Sequence, residues 1–221
     1  DLPPLKFAQS ADTMWICSRD HPVYKLTRSG HETWSMTEAA FGDGPWLAVN
    51  ATATTLAPSA TAGTGITLTA SAAAGINDGE GFSAADTGRM VRLKHGSDWG
   101  YAVVTAVASP TSATDWRLGA WSGRTGYPGA VAFFEQRLCF AGSRHQPQTF
   151  WLSQSADFEN MRPDDGAGTV EDDDALDYTI SADQVNAIRW MAPGQKLFMG
   201  TVGGEWLVPS DGPLLTPADI D

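Results

Sequence analysis

The sequence predicts an all-β protein: a β-propeller-like scaffold of antiparallel hairpins, interrupted by a small β-barrel domain. Three observations predict it. First, residues 133–160 (FFEQRLCFAGSRHQPQTFWLSQSADFEN) hold two short apolar runs, RLCFA at 137–141 and TFWL at 149–152, on either side of a polar turn, which is the pattern of a β-hairpin. Second, the design recurs. TMWIC at 13–17 faces VYKL at 23–26 across a turn holding His21 and Pro22, and KLFMG at 196–200 faces EWLV at 205–208 across Gly203 and Gly204. Hairpins of one design at separate places indicate a repeated unit. Third, the composition breaks after the first hairpin: between 48 and 75, 22 of 28 residues are Ala, Thr, Gly or Ser.

In chain order, residues 5–8 form a short strand before the first hairpin, and HETWSM at 31–36 alternates, with Trp34 and Met36 on one face. GITLTA at 65–70 alternates apolar and small polar residues, as a strand does and a linker does not. GRMVRL at 88–93, WGYAVVTAV at 99–107 and WRL at 116–118 complete a separate β segment. Isolated hairpins are marginal, so 47–122 is expected to fold as an inserted small β-barrel, flanked by one discontinuous scaffold of 1–46 and 123–221. Charge supports the boundary, with five acids against four bases in 47–122 and fifteen against six after it. Ala130, leading into Phe134, starts the organising hairpin, LDYTI at 176–180 resumes an alternating strand, and 187–191 precedes the third hairpin. Only 181–185 hints at helix.

The chain has 221 residues, 42% hydrophobic, enough to bury a substantial core. No apolar stretch reaches membrane-spanning length and no signal peptide opens the chain, so a soluble protein without membrane association is expected. The opening DLPP and closing TPADID read as cut ends, so the chain is expected to be a fragment of a longer polypeptide. A net charge of −12 disfavours tight nucleic-acid binding, which long-range attraction to phosphate drives.

No catalytic, cofactor or metal motif emerges: the sequence lacks a Gly-x-Ser-x-Gly elbow, a phosphate loop and a dinucleotide fingerprint. No catalytic residue and no cofactor is expected, and no enzyme. His21, His31, His95 and His145 are scattered beside turns without ligand spacing. Cys17 and Cys139 sit inside apolar strands and read as two buried thiols, with a disulfide between hairpins as the alternative. A nucleophile built from Cys139 and His145 would require an exposed thiol. Asp164, Asp165, Glu171, Asp172, Asp173 and Asp174 offer hard oxygen ligands for an ion such as Ca²⁺, although the spacing is not that of an EF-hand. The other reading is a solvated acidic loop.

Nine tryptophans are the remaining anomaly. Trp15, Trp151 and Trp206 recur within hairpins and read as packing between blades, whereas Trp99, Trp116 and Trp121 in the insert are candidates for a binding surface that stacks on sugars.

The run Gly126-Tyr127-Pro128, FFEQRLCFAGS (133–143), PQTFWLS (147–153) and Asp157-Phe158-Glu159-Asn160 resembles virion proteins of short-tailed phages and prophages, in the tail nozzle or tail tubular protein B group. FAQSAD (7–12), His21-Pro22, Lys25-Leu26, Asp172-Asp173-Asp174-Ala175, VNAI (185–188) and Gly203-Gly204-Glu205-Trp206 are similar to parts of the same pattern, covering roughly the outer two thirds of the chain. The resemblance implies a β-propeller-like platform, copies of which form a ring at the tail end through which DNA leaves the capsid. Its partners would be other tail proteins and copies of itself, and its place the virion tail, assembled in the bacterial host cytoplasm. The insert is faintly similar to the first catalytic cysteine half-domain of ubiquitin-activating enzymes, with no adenylation motif and no suitably placed nucleophile beside it, so no ubiquitin chemistry is carried over. The rival function is a carbohydrate-binding or carbohydrate-cleaving β-module for host-surface recognition.

Overall fold

A computed structural model describes residues 4–106, 115–181, 185–208 and 215–219. The fold is all-β, built from antiparallel sheets, and the helix among the described residues is limited to 3-10 turns. No helix among the described residues is long and apolar enough to cross a membrane. The chain divides into two units. The first comprises Asp1–Pro45, Thr125–Asp164 and Val170–Asp221, and the second Trp46–Arg124 with Asp165–Thr169.

The first unit holds three meanders. β1 (Lys6–Ser10), β2 (Thr13–Ser18), β3 (His21–Arg28) and β4 (Trp34–Glu38) form one sheet in that order. The turn between β2 and β3 is Arg19-Asp20, so His21 and Pro22 open the second strand instead of forming the turn. In the second unit, β5 (Leu56–Pro58) pairs with β6 (Leu68–Ala70), and β7 (Met90–His95) lies between β8 (Asp98–Val103) and β9 (Trp116–Leu118). Back in the first unit come β10 (Ala130–Phe134), β11 (Arg137–Ala141), β12 (Thr149–Leu152) and β13 (Leu176–Thr179), then β14 (Ile188–Pro193), β15 (Leu197–Thr201) and β16 (Glu205–Leu207). All three hairpins read from the sequence form, one in each sheet of this unit. The helical hint at 181–185 falls largely on 182–184, outside the described residues.

Strand β10 is packed between β1 and β14, so the first strands of the three meanders stand side by side, as inner strands of propeller blades do. The middle sheet is therefore covered on both faces. Period-two alternation splits its residues cleanly. Phe134, Cys139, Ala141, Phe150, Leu152 and Leu176 share one core with Ile188, Leu197 and Met199 of the third sheet. On the opposite face Phe133 meets Trp15 of the first sheet edge-on at 5.6 Å, and Phe158 packs against both rings. Burial on two faces explains why β11 and β12 read as continuous apolar runs where outer strands alternate with polar residues.

Two glycines are dictated by close approach. Gly142 has φ +69°, and a Cβ there would stand 2.7 Å from the Ile188 carbonyl oxygen. Gly200 lies directly under the indole of Trp190, its cross-strand neighbour, where a Cβ would run into the ring.

The expected barrel does not form: among the described residues no sheet closes, and the insert has a three-stranded sheet and a two-stranded ribbon. Strands β5, β6 and β9 have three residues each, too few to carry the tilt and stagger that closure needs. The core consists of Leu56, Ala70, Ile76, Val91, Trp116 and Leu118, with Leu47, Leu68, Phe82, Leu93 and Val104 against it.

Candidate functional site

The carboxylates of the acidic loop are spread over both units. Asp165 belongs to the second unit while Asp164 and the four residues 171–174 belong to the first. Asp165 Oδ1 accepts the backbone N–H groups of Ala167 and Thr169 at 2.8 and 3.0 Å, which holds its carboxyl below the usual range and closes a local turn. Asp174 is buried and already engaged: Oδ1 accepts from Gln154 Nε2 at 2.6 Å, and Oδ2 from the Glu171 backbone N–H at 2.9 Å. Glu171, Asp172 and Asp173 are exposed. No group of three or more His, Cys, Asp or Glu side chains among the described residues is arranged to hold a metal.

What organises this loop is a residue of the central hairpin. The Arg137 side chain is buried, and its Nη1 donates to the carbonyl oxygens of Ser153 at 2.8 Å, Asp174 at 2.6 Å and Asp173 at 3.3 Å. Nη2 donates to the Asp172 carbonyl oxygen at 2.7 Å. The planar fork of the guanidinium suits this task, because several donors can serve converging carbonyls at once. Burial lowers the Arg137 pKa, partly offset by nearby groups that include Asp173, Glu135 and Asp174. The acids, which the sequence offers as an ion site or as a solvated loop, meet this cation through the backbone carbonyls of 172–174 and not through their carboxylates.

A second knot joins the first and middle sheets. Glu159 accepts the Trp15 indole N–H at 2.9 Å and pairs with Lys25 Nζ at 2.7 Å. In the insert, Asp86 and Arg89 form a buried ion pair at 2.8 Å. Asn77 bridges them, accepting from Arg89 at 2.7 Å and donating to Asp86 at 2.8 Å. Asp86 also accepts the Ser83 backbone N–H at 2.8 Å, and Arg89 Nε donates to the Gly119 carbonyl oxygen at 2.8 Å. Satisfied on every side, such a network specifies a unique core. The sequence signal was slight: a Ser three residues before an Asp, as in a capping box.

The candidate tryptophan surface also changes. Trp116 and Trp121 are buried, and Trp116 donates its indole N–H to the Thr54 carbonyl oxygen at 2.9 Å. Both are therefore core residues, not exposed sugar platforms. Each follows from position, since Trp116 points to the face of β9 that packs on Leu56 and Ile76. Trp99 is half-buried on the other face of the sheet, where the Arg92, Arg117 and Lys94 cations lie 5.1, 5.6 and 5.7 Å from its ring centroid. These are cation–π distances.

Cys17 and Cys139 are free and buried, and all four histidines are exposed. Cys139 has no exposure, so it cannot present a thiolate to substrate beside His145. Burial pushes the Cys17 thiol from 9.0 up to about 12 and Cys139 upward as well. The native protein is thus expected to resist a thiol-labelling reagent at neutral pH and to react twice on denaturation; labelling of native protein as fast as of free cysteine would contradict the burial. The proton held by folded Cys17 also stabilises the fold. That contribution is complete below the unfolded pKa near 9.0 and is lost as pH rises through about 12.

No protein-family model matches the chain, and no curated protein matches it at a significant level.

Proposed function

We propose that this chain is a structural component of a phage or prophage tail, part of a ring-like nozzle or adaptor that serves assembly and DNA passage. One observation carries the reading. The motif residues that resemble tail nozzle proteins are distant in sequence but bonded in the fold: Arg137 to the backbone of Asp172, Asp173 and Asp174, and Glu159 to Lys25. Glu159 with Lys25 ties the middle sheet to the first, and Arg137 pins the β12–β13 loop within the middle sheet. A pattern concentrated on braces and on the doubly covered middle sheet belongs to a protein whose work is to hold shape.

Negative charge suits a conduit, since an acidic wall repels phosphate and prevents sticking. The chain is therefore expected to show no measurable binding to duplex DNA at moderate salt. Arg189 is exposed and adds to the burial that lowers the Arg19 pKa, so it is the position to test. Arg189→Ala should leave fluorescence anisotropy of labelled DNA unchanged. Micromolar binding that falls steeply with salt would instead indicate active DNA handling.

The direct test is electron microscopy of the purified protein, where rings with a central opening are expected and ringless particles would overturn the nozzle. The rival carbohydrate reading loses two of its three rings, because Trp116 and Trp121 are buried. Its remaining support is Trp99, and a glycan array with the whole chain tests it.

A further inference from the structure

One end of the first unit gathers an arginine from each of its three sheets. Arg19 sits in the turn between β2 and β3, Arg144 in the loop that follows β11, and Arg189 next to the first residue of β14. Backbone hydrogen bonds hold these segments together. The Tyr127 N–H donates to the Arg19 carbonyl oxygen at 3.0 Å, the Gly129 N–H to the carbonyl oxygens of Ala141 and Gly142 at 2.9 and 3.2 Å, and the Ile188 N–H to that of Pro147 at 2.8 Å.

The Arg19 side chain is fixed in this arrangement. Its Nη2 donates at 2.6 Å to the carbonyl oxygen of Ile188, the residue before Arg189. It lies so close over two glycines that a Cβ at Gly129 would stand 2.5 Å from Nε, and one at Gly142 3.1 Å from Nη2. A guanidinium has five N–H donors. Among the described residues Arg19 Nε and Nη1 have no protein partner, and neither Arg19 nor Arg189 has a carboxylate within ion-pair distance. A brace to Ile188 accounts for one N–H group of Arg19. It does not account for a second guanidinium kept beside the first without an acid, an arrangement that like-charge repulsion disfavours unless an anion joins the two. The repulsion is felt: burial lowers the Arg19 pKa, and the charge of Arg189 lowers it further, against a smaller opposite effect of Asp20.

We propose that this end of the first unit binds a carboxylate, held by the guanidinium groups of Arg19 and Arg189. The planar fork of a guanidinium matches the two oxygens of a carboxylate, and a donor already immobilised by its own chain loses little freedom on binding. Charge selects this class over phosphate. Two acids stand at the same end: Asp20 lies 3.8 Å from Arg144, and Glu38 acts together with Arg144 on the Tyr127 hydroxyl. Three arginines against two acids leave one positive charge, the complement of a single monoanion. A dianion or a nucleic acid would bring surplus negative charge to a chain of net charge −12. The site therefore agrees with the absence of duplex-DNA binding expected above. A small organic acid and the terminal carboxylate of a peptide offer the same chemistry. The inference stands apart from the tail reading, because it uses only these groups and their charge.

NMR of the isotope-labelled whole chain tests it through the arginine Nε–H resonances. The protein is titrated with acetate and, separately, with N-acetyl-trialanine. Acetamide and N-acetyl-trialanine amide serve as the neutral counterparts, and sodium chloride keeps the ionic strength constant. The Arg19 and Arg189 resonances are expected to move with the carboxylates and to saturate in the millimolar range, while the neutral counterparts leave them in place. Acetate binding as tightly as the peptide assigns the site to small acids, and tighter peptide binding assigns it to a chain end; either result upholds it. Arg189→Gln changes an exposed residue and should keep the wild-type circular dichroism. It should weaken the response of Arg19 by about tenfold or more, which a purely structural Arg19 would not show. Arg28→Gln removes an exposed arginine paired with Asp12 and should leave the titration unchanged. Shifts that never saturate, equal shifts with the neutral counterparts, an Arg189→Gln variant that responds like the wild type, or inorganic phosphate binding more tightly than acetate would overturn the proposal.

Discussion

Replacing Arg137 by Met is expected to destabilise the first unit by about 4 kcal/mol, because the hydrocarbon stem is kept while the buried carbonyls it served lose their donor. The acceptors are the carbonyl oxygens of Ser153, Asp172, Asp173 and Asp174. Ser153 and Asp174 are buried, so water cannot replace the guanidinium there, whereas the exposed Asp172 and Asp173 can recover part of the loss. Equilibrium unfolding in urea reads the change directly. Arg137→Lys should recover only part of it, since an ammonium is a point charge without the fork that reaches several carbonyls together. The loop at 171–175 should also become more susceptible to limited proteolysis in both variants. Unchanged stability in Arg137→Met would mean that the loop is held by Asp174 and its partners Gln154 and Glu171 alone.

Trp151→Ala should cost about 3–5 kcal/mol through lost burial and the cavity left behind. The ring is fully buried in the middle strand of the hairpin, opposite Phe140 on one side and Asp177 on the other. Its face of the sheet is the one that Trp15, Phe133 and Phe158 fill with edge-to-face contacts, a rigid aromatic layer that cannot easily collapse into a void. A melting temperature lower by about 10 °C is the corresponding shift for a protein of this size. Trp190→Ala provides the contrast. That ring is partly exposed and lies over Gly200, so its loss should cost much less. Equal effects from the two substitutions would contradict the assignment of inner and outer faces.

The acidic loop shows what the spacing of acids leaves undecided. Six acids in eleven positions invite a ligand reading, yet carboxylates repel each other and are drawn to whichever donors the fold brings near. Asp165 takes donors from its own turn, Asp174 takes Gln154, and the main chain of 172–174 turns to Arg137. None of these donors is announced by the spacing of the acids. Arg137 is 35 residues from Asp172 and was legible only as part of a strand. The tryptophans of the insert failed for a related reason: alternation tells that Trp116 and Arg117 face opposite ways, without telling which way is inward.

By itself the sequence determined the class and the local pairing of this protein. Strand, turn and partner strand lie within about twenty residues of one another, and apolar alternation with polar turns is enough to specify such a hairpin. The hairpins at 13–26, 137–152 and 197–207 follow from that, as does the abrupt change of composition where the inserted unit begins. Only the tertiary structure decided which faces are covered. Trp34 and Trp151 are both large aromatics in β-strands, yet one lies in the outermost strand of the first sheet and the other in a sheet packed on both sides. It also placed Asp165–Thr169 with the insert instead of with its chain neighbours, and left the insert's short strands open where a barrel was expected. Burial is a property of neighbours remote in the chain, and a strand's own residues encode two faces without encoding what will stand against each.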